Sequence, residues 1–73
     1  SAEVCGRDVK TVQEVLVEEV NVHTPGLMTG RLSNNTVVHF PGDASMIGRL
    51  VPVYLQESKG FYYMGHIADK ENE

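Results

Sequence analysis

Alternation of aliphatic and polar residues is the main structural pattern of this chain, and it recurs in five short segments. Successive side chains of a β-strand point to opposite faces, so a two-residue period rich in β-branched residues predicts strands that are buried on one face. Glycine, proline, asparagine and aspartate separate the segments, as is typical of turns. The pattern predicts strands at residues 9–19, 27–32, 36–40, 50–56 and 61–67.

The alternation also predicts which side chains form the core. Val15 and Val17 share one face of the first strand, and Val38 and Phe40 share one face of the third. The last two strands follow the same rule with Val51, Val53 and Leu55, and then with Phe61, Tyr63 and Ile67. Phe40, Phe61 and Tyr63 are therefore predicted to be core residues rather than binding residues.

Three features predict local departures from regular strands. Gly30 lies inside the second strand, where a glycine indicates a bulge or a close backbone approach that helps to bend a sheet into a barrel. Pro52 has no N–H to donate to a neighbouring strand, so it predicts an edge or a bulge in the fourth strand. Residues 43–47 are predicted to form one helical turn, with Met46 and Ile47 packed against the barrel.

Five short strands with little helix indicate an all-β fold, either a small antiparallel barrel or a sandwich. A chain of 73 residues is one domain, which buries only about 60% of the surface that it exposes when unfolded. We expect the barrel at residues 9–68, after a linker or cloning remnant at 1–8 and before a disordered tail at 69–73. The absence of an initiator methionine predicts a processed start or an excised fragment.

Composition and charge narrow the function classes. With one cysteine, Cys5, and no apolar run long enough to span a membrane, the chain is expected to be cytoplasmic, with no membrane partner. The net charge of −4 arises at the two ends, since the first twenty residues carry −3 and residues 69–73 carry −2. The middle of the chain, neutral to slightly positive, is the part whose charge favours nucleic-acid binding.

The hairpin at residues 30–40 carries the densest set of candidate binding residues. Arg31 could contact phosphate or stack on a base, and the alternative is an ion pair with a glutamate of the barrel. Asn34 and Asn35 could read base edges, or could serve only as turn residues that tolerate a positive φ. His39 is predicted to face outward, where it could stack on a base or only face solvent.

Three further candidates follow the hairpin. Tyr62, on the outward face of the last strand, could stack on a base, whereas Arg49 and Lys59 could contact phosphate or be merely solvated. The three histidines are far apart in sequence, and no metal site is predicted. No acid–base pair, activated nucleophile or phosphate-binding loop is visible, so catalytic residues are not expected and an independent enzyme is disfavoured.

Several short motifs, spread over residues 9–67, together resemble those of a known family. They are Val15-Leu-Val-Glu18, Met28-Thr-Gly30-Arg31, Asn34-Asn35, Val37-Val-His-Phe40, Gly42, Ile47-Gly48 and Gly65. In this order and spacing they are similar to the TRAM domain, in the form found at the C-terminus of the tRNA methylthiotransferases. Residues 57–65 look most like the bacterial members that add a methylthio group to an adenosine beside the anticodon.

The resemblance implies an OB-like five-stranded barrel that binds tRNA at the anticodon stem-loop as an accessory domain. Its partners would be tRNA and the catalytic radical domain of the same polypeptide. Iron–sulfur clusters and S-adenosylmethionine would belong to that domain, because such clusters need several cysteines and this chain has one. No cofactor is expected in this chain.

The chain departs from the family at positions where basic residues are common. Met64 and His66 occupy two of these positions, and residues 19–22 replace a stretch in which many relatives have glycine and lysines. Phosphate contacts supply much of nucleic-acid affinity, so weak RNA binding by the isolated chain is expected. The alternative, which the acidic first strand favours, is a protein-docking module that positions or stabilises the catalytic domain.

Overall fold

A computed structural model describes residues 9–68, which form a closed five-stranded barrel. The strands are β1 (Val12–Val20), β2 (Leu27–Arg31), β3 (Val37–Pro41), β4 (Leu50–Ser58) and β5 (Tyr62–Ile67). A 3-10 turn (Ala44–Met46) connects β3 to β4. The predicted all-β barrel is confirmed, and the sandwich alternative is wrong. The predictions made for residues 1–8 and 69–73 lie outside the described residues.

The strand order around the barrel is β1-β2-β3-β5-β4, with β4 pairing back onto β1. Four pairings are antiparallel, as predicted, whereas β3 and β5 are parallel. A parallel pair needs a long crossover connection, and here the 3-10 turn and β4 together supply it. The expectation of an entirely antiparallel barrel therefore fails at this one pairing.

The barrel interior is an apolar core to which all five strands contribute. The buried apolar side chains are those of Val15, Val17, Met28, Leu32, Val38, Phe40, Val53, Leu55 and Tyr63. The inward faces predicted for β1 and β3 are confirmed, as is the inward position of Tyr63. No polar or charged side chain is buried in the described part of the chain, so removal of apolar area from water is the main stabilising contribution.

Two residues that were predicted to pack inward are exposed instead. Phe61 is 65% exposed, because β5 begins one residue later and Phe61 lies in the turn before it. In that turn the Lys59 N–H donates a hydrogen bond to the Tyr62 carbonyl. Ile47 is 45% exposed, because the 3-10 turn ends before it and its own backbone is extended. Met46 packs against the core as predicted.

Pro52 lies at neither an edge nor a bulge, because the barrel is closed and has no edge at β4. The pairing of β4 with β5 begins at Val53, opposite Ile67, so Pro52 lies one residue outside that ladder. Its missing N–H therefore breaks none of the β4–β5 ladder bonds. Its carbonyl still accepts a hydrogen bond from the Ala68 N–H at 2.9 Å.

Two glycines allow the strands to approach closely where the barrel bends. A Cβ at Gly30 would lie 2.5 Å from Val15 Cγ1 and 2.7 Å from the Leu16 carbonyl oxygen. A Cβ at Gly65 would overlap the carbonyl oxygen of Tyr54. The strands that face these glycines, β1 and β4, each contain an irregular step in their pairing. Gly30 thus provides the predicted close approach, and the bulge belongs to the facing strand.

Replacing Gly30 by alanine is expected to lower the free energy of unfolding by about 1–3 kcal/mol, because the β1 backbone must move to admit the methyl group. Ser33→Ala, at an exposed position of the hairpin loop, is the matched control and should change stability by less than about 0.5 kcal/mol. Urea unfolding followed by circular dichroism measures both variants. Equal stability of Gly30→Ala and the native chain would contradict the close approach.

Candidate nucleic-acid interface

The outer faces of β2, β3 and β5 form one continuous surface, because these strands are neighbours in the barrel. Strand pairing places two rows of side chains across it, with Thr29, His39 and Met64 in one row and Arg31, Val37 and Tyr62 in the next. The residues that alternate with them on the same strands are buried. Side chains that are distant in sequence are therefore close on this surface.

A groove of about 620 Å³ opens on this surface beside the β1–β2 loop. We call it the aromatic groove, and its lining includes Asn21, Thr29, His39, Lys59 and Tyr62. These residues come from the β1–β2 loop, from β2, β3 and β5, and from the turn between β4 and β5. Three of the candidate binding residues, His39, Lys59 and Tyr62, therefore meet in one depression.

His39 is held by polar and aromatic neighbours within the aromatic groove. Its Nδ1 atom lies 3.2 Å from Asn21 Nδ2 and 3.1 Å from Thr29 Oγ1. Its ring meets the Tyr62 ring edge to face, with centroids 4.9 Å apart and an interplanar angle of 69°. The outward orientation predicted for His39 is confirmed, but its neighbours leave the ring half-buried rather than open to solvent.

Burial lowers the pKa of His39 below its ordinary value, because loss of water disfavours the charged imidazolium. A hydrogen bond with the Met28 backbone raises the pKa, but by less. The ring is therefore neutral near pH 7 and keeps one nitrogen as an acceptor and the other as a donor.

The candidate cations Arg31 and Lys59 form ion pairs with neighbouring glutamates. Arg31 Nε lies 3.1 Å from Glu18 Oε1, and Lys59 Nζ lies 3.1 Å from Glu57 Oε2. For Arg31, the structure thus contains the ion pair that the sequence left as the alternative. Exposed pairs of this kind contribute only about 0–1 kcal/mol, so either cation could exchange its glutamate for a ligand at little cost.

A second groove, of about 510 Å³, lies between the outer face of β1 and the β2–β3 turn. We call it the hairpin groove, and it contains Arg31, Asn34 and Asn35 together with the exposed side chains of Leu16 and Leu50. The two leucines lie directly opposite each other in the β1–β4 pairing. The hairpin groove therefore combines an apolar floor with a polar rim.

Asn34 and Asn35 shape the turn between β2 and β3. Asn35 has a φ of +70°, and its N–H donates to the Leu32 carbonyl at 2.9 Å. Asn34 Oδ1 accepts a hydrogen bond from the Thr36 N–H at 3.0 Å. The turn role of both asparagines is confirmed, and their contact with bases stays a prediction.

The seven candidate residues fall into two groups and one isolated member. Arg31, Asn34 and Asn35 line the hairpin groove, His39, Lys59 and Tyr62 line the aromatic groove, and Arg49 lines neither. Arg49 is exposed just before β4, and its carbonyl accepts a hydrogen bond from the Val17 N–H at 2.9 Å. The structure therefore provides two adjoining candidate surfaces rather than a single site.

Sequence reasoning missed Asn21 and Thr29, which hold His39 in place. The two-residue period already places Thr29 on the outer face of β2 and could have identified it. Asparagine often bonds to nearby backbone N–H groups in loops, which is a weak signal for Asn21. Nothing in the sequence indicates its contact with His39, which lies 18 positions later.

No helix within residues 9–68 is long and apolar enough to cross a membrane. In the same part of the chain, no three histidine, cysteine, aspartate or glutamate residues are close enough together to hold a metal ion. Cys5, the one cysteine of the sequence, lies outside the described residues.

The strand order and the position of the aromatic groove define the class of the protein. A closed five-stranded barrel in the order β1-β2-β3-β5-β4 is an OB-like barrel, a class that binds oligonucleotides on its β2–β3 face and adjoining loops. The family model for the TRAM domain matches residues 6–68. The chain therefore belongs to the TRAM domain family, as its motifs predicted.

The relatives that the chain resembles are much longer enzymes. It is 52% identical, over 94% of its length, to a tRNA-2-methylthio-N(6)-dimethylallyladenosine synthase of Lachnoclostridium phytofermentans. Enzymes of the same name from Natranaerobius thermophilus and Coxiella burnetii are 39% and 34% identical, over 78% and 92% of the chain. The matched regions span only 15%, 13% and 15% of these three relatives, so the chain corresponds to one small domain of such synthases.

Lowering the pH from about 7 to about 5 is expected to reduce the free energy of unfolding in part through His39. Because the folded-state pKa of His39 is below the unfolded value, the unfolded chain gains a proton first, and stability is lost as the pH falls between the two values. His39→Gln removes this titration but leaves Glu19, Lys59 and Tyr62 in the groove.

Urea unfolding at several pH values measures this effect. The His39→Gln variant should lose less stability on acidification than the native chain does. The same pH dependence in both proteins would contradict the lowered pKa.

Proposed function

We propose that this chain is the tRNA-binding accessory domain of a methylthiotransferase that modifies an adenosine next to the anticodon. The observation that carries the proposal is the aromatic groove, which lies on the face that OB-like barrels use for oligonucleotides. The names of the relatives, tRNA-2-methylthio-N(6)-dimethylallyladenosine synthases, supply the class of RNA. In this proposal the anticodon stem-loop is the bound element.

The side chains of the aromatic groove suit an unpaired base. Tyr62 and His39 offer aromatic rings, and stacking of one base on an aromatic side chain contributes about 1–3 kcal/mol. Lys59 adds a cation for a neighbouring phosphate. Arg31 lies on the same surface, because strand pairing places it opposite Val37 of β3, which in turn lies opposite Tyr62 of β5.

The other predicted contacts would widen this surface beyond the aromatic groove. Asn34 and Asn35 stand at the turn of the β2–β3 hairpin and could contact base edges or sugar hydroxyls. Arg49 lies outside both grooves and would contact only a phosphate of a longer RNA segment.

Electrostatics of the surface favour stacking over phosphate binding. Arg31 and Lys59 are each paired with a glutamate, and Glu19 lines the aromatic groove as well. Each phosphate contact to single-stranded RNA contributes about 0.7 to the slope of log affinity against log salt, so we expect a slope no steeper than about 2. Binding by the isolated chain would therefore be weak and only modestly salt-dependent.

Titration of a labelled anticodon stem-loop RNA with the chain, followed by fluorescence anisotropy at low and moderate salt, tests the proposal. Tyr62→Ala is expected to weaken binding about tenfold or more, because it removes one base stack. His66→Ala is the matched control on the same strand, since His66 packs against Tyr54 outside both grooves. No binding at high micromolar protein, together with unchanged tRNA affinity of a synthase that lacks the domain, would refute the proposal.

Radical chemistry belongs, in this proposal, to the rest of the synthase. Iron–sulfur clusters need several cysteine ligands, and this chain contributes only Cys5. The clusters and S-adenosylmethionine would be bound by the catalytic radical domain of the same polypeptide, in the cytoplasm. The role of this chain would be to hold the RNA, not to react with it.

A second candidate function is docking onto that catalytic domain, and the hairpin groove favours it. Leu16 and Leu50 are 41% and 59% exposed and face each other across the β1–β4 pairing. The chain spans about 15% of its relatives, so the remainder of the same polypeptide is the occupant that we propose for this apolar floor. The two grooves share no lining residue, so docking would leave the aromatic groove open to RNA but would cover Arg31, Asn34 and Asn35.

Leu50→Asp in a full-length synthase is expected to lower its melting temperature by roughly 2 °C or more, because a charge would replace an apolar contact between domains. Val22→Asp is the control, since Val22 is 87% exposed beside the other groove. Thermal unfolding measures both variants. An equal melting temperature for Leu50→Asp and the unmodified synthase would rule out docking through this groove.

A further inference from the structure

Two β-bulges border the candidate nucleic-acid interface, one on each side. The outer face of β2, β3 and β5 lies between β1 and β4, and the pairing skips Glu18 in β1 and Gln56 in β4. A bulge sets two consecutive residues against one residue of the partner strand, so each border carries an additional side chain. The four bulge residues, Glu18, Glu19, Gln56 and Glu57, are all exposed.

Three of the four bulge residues are glutamates, and two of these hold the cations of the interface. Glu18 Oε1 lies 3.1 Å from Arg31 Nε, and Glu57 Oε2 lies 3.1 Å from Lys59 Nζ. Within residues 9–68 the structure contains two ion pairs, and both join a cation of the interface to a bulge glutamate. Glu19 lines the aromatic groove itself. The bulges therefore surround the aromatic rings with neutralised or negative charge.

This arrangement limits what a phosphate can gain at the interface. Exchange of a glutamate for a phosphate costs little, but it also gains little, because one contact between a cation and an anion replaces another. The released carboxylate then repels the phosphate and attracts a cation from solution, which offsets the counterion that the RNA releases. Stacking of a base on Tyr62 involves no charge and is not reduced in this way.

We propose that Glu18 and Glu57 are specificity-determining residues, which neutralise Arg31 and Lys59 so that the interface accepts an unpaired base by stacking and rejects the phosphate backbone of double-stranded RNA. This inference rests on the RNA-binding function proposed above. The bases of a duplex are stacked on one another, and proteins bind duplex RNA mostly through phosphates and 2′-hydroxyl groups. Duplex RNA therefore loses most when the cations are neutralised.

Glutamine at these two positions tests the role of the charge. Glu18→Gln keeps an oxygen that can accept a hydrogen bond from Arg31 Nε, but it removes the negative charge. We expect it to tighten binding of the labelled anticodon stem-loop about two- to fivefold at low salt. The slope of log affinity against log salt should become steeper by about 0.7, the value for one phosphate contact. Glu57→Gln should act in the same way through Lys59.

Glu14→Gln is the matched control for net charge. Glu14 is an exposed glutamate of the same strand as Glu18, but it lies opposite Pro52 of β4 and forms no ion pair within residues 9–68. Its replacement should leave the salt slope unchanged, because it frees no cation for a phosphate. Equal gains in affinity and slope for Glu14→Gln and Glu18→Gln would indicate a general effect of charge and would overturn the inference.

A double-mutant cycle with Arg31 tests whether Glu18 acts through its ion pair. Arg31→Gln removes the cation, so adding Glu18→Gln to that variant should no longer tighten RNA binding. A gain of the same size with and without Arg31 would overturn the proposed role of Glu18.

A labelled duplex RNA as long as the stem-loop tests specificity. The native chain should bind it at least about tenfold more weakly than the stem-loop, because the duplex offers no base to stack. Glu18→Gln combined with Glu57→Gln should favour the duplex more than the stem-loop, since a duplex can place phosphates at Arg31 and Lys59 together, whereas a base seated in the groove fixes its own backbone. An unchanged ratio of the two affinities would overturn the specificity role.

The outcomes distinguish this inference from the function on which it rests. Unchanged salt slopes in Glu18→Gln and Glu57→Gln, alongside weakened binding in Tyr62→Ala, would overturn the role of the glutamates and leave RNA binding supported. Absence of RNA binding by both the native chain and the combined variant would overturn both.

Discussion

Close contact between main chains at two glycines is the constraint on which this barrel depends. At Gly30 the Leu16 carbonyl leaves no room for a Cβ, and at Gly65 the Tyr54 carbonyl does the same. A sheet of five short strands must bend sharply to bring β4 back onto β1, and the irregular steps beside these glycines provide that curvature. Once the sheet is closed, the apolar side chains are enclosed and no strand edge stays open.

The same closure creates the candidate interface. Because β4 returns to pair with β1, β5 lies beside β3, and His39 meets Tyr62 although they belong to distant segments. The β1–β2 loop then reaches over this face and brings Asn21 to His39. An aromatic groove on an otherwise ordinary barrel surface is thus a product of the strand order.

Charge decides what kind of contact this surface can make. Arg31 forms an ion pair with Glu18, and Lys59 forms one with Glu57. These pairs leave little positive potential at the surface to attract a phosphate backbone. The groove offers instead the aromatic rings of His39 and Tyr62, with Asn21 and Thr29 holding the His39 ring in place. Such a surface suits stacking with an unpaired base better than long-range attraction of RNA.

The sequence was sufficient for several features that depend on neighbours along the chain. The two-residue period identified the inward faces of β1 and β3, and the asparagine pair identified the β2–β3 turn, because side-chain direction and local φ are properties of a few adjacent residues. Recognisable motifs also gave the family. The parallel pairing of β3 with β5, the exposure of Phe61 and the contact between Asn21 and His39 followed only from the folded barrel. These features depend on which distant segments meet and on the residue where each strand ends, and no local pattern encodes either.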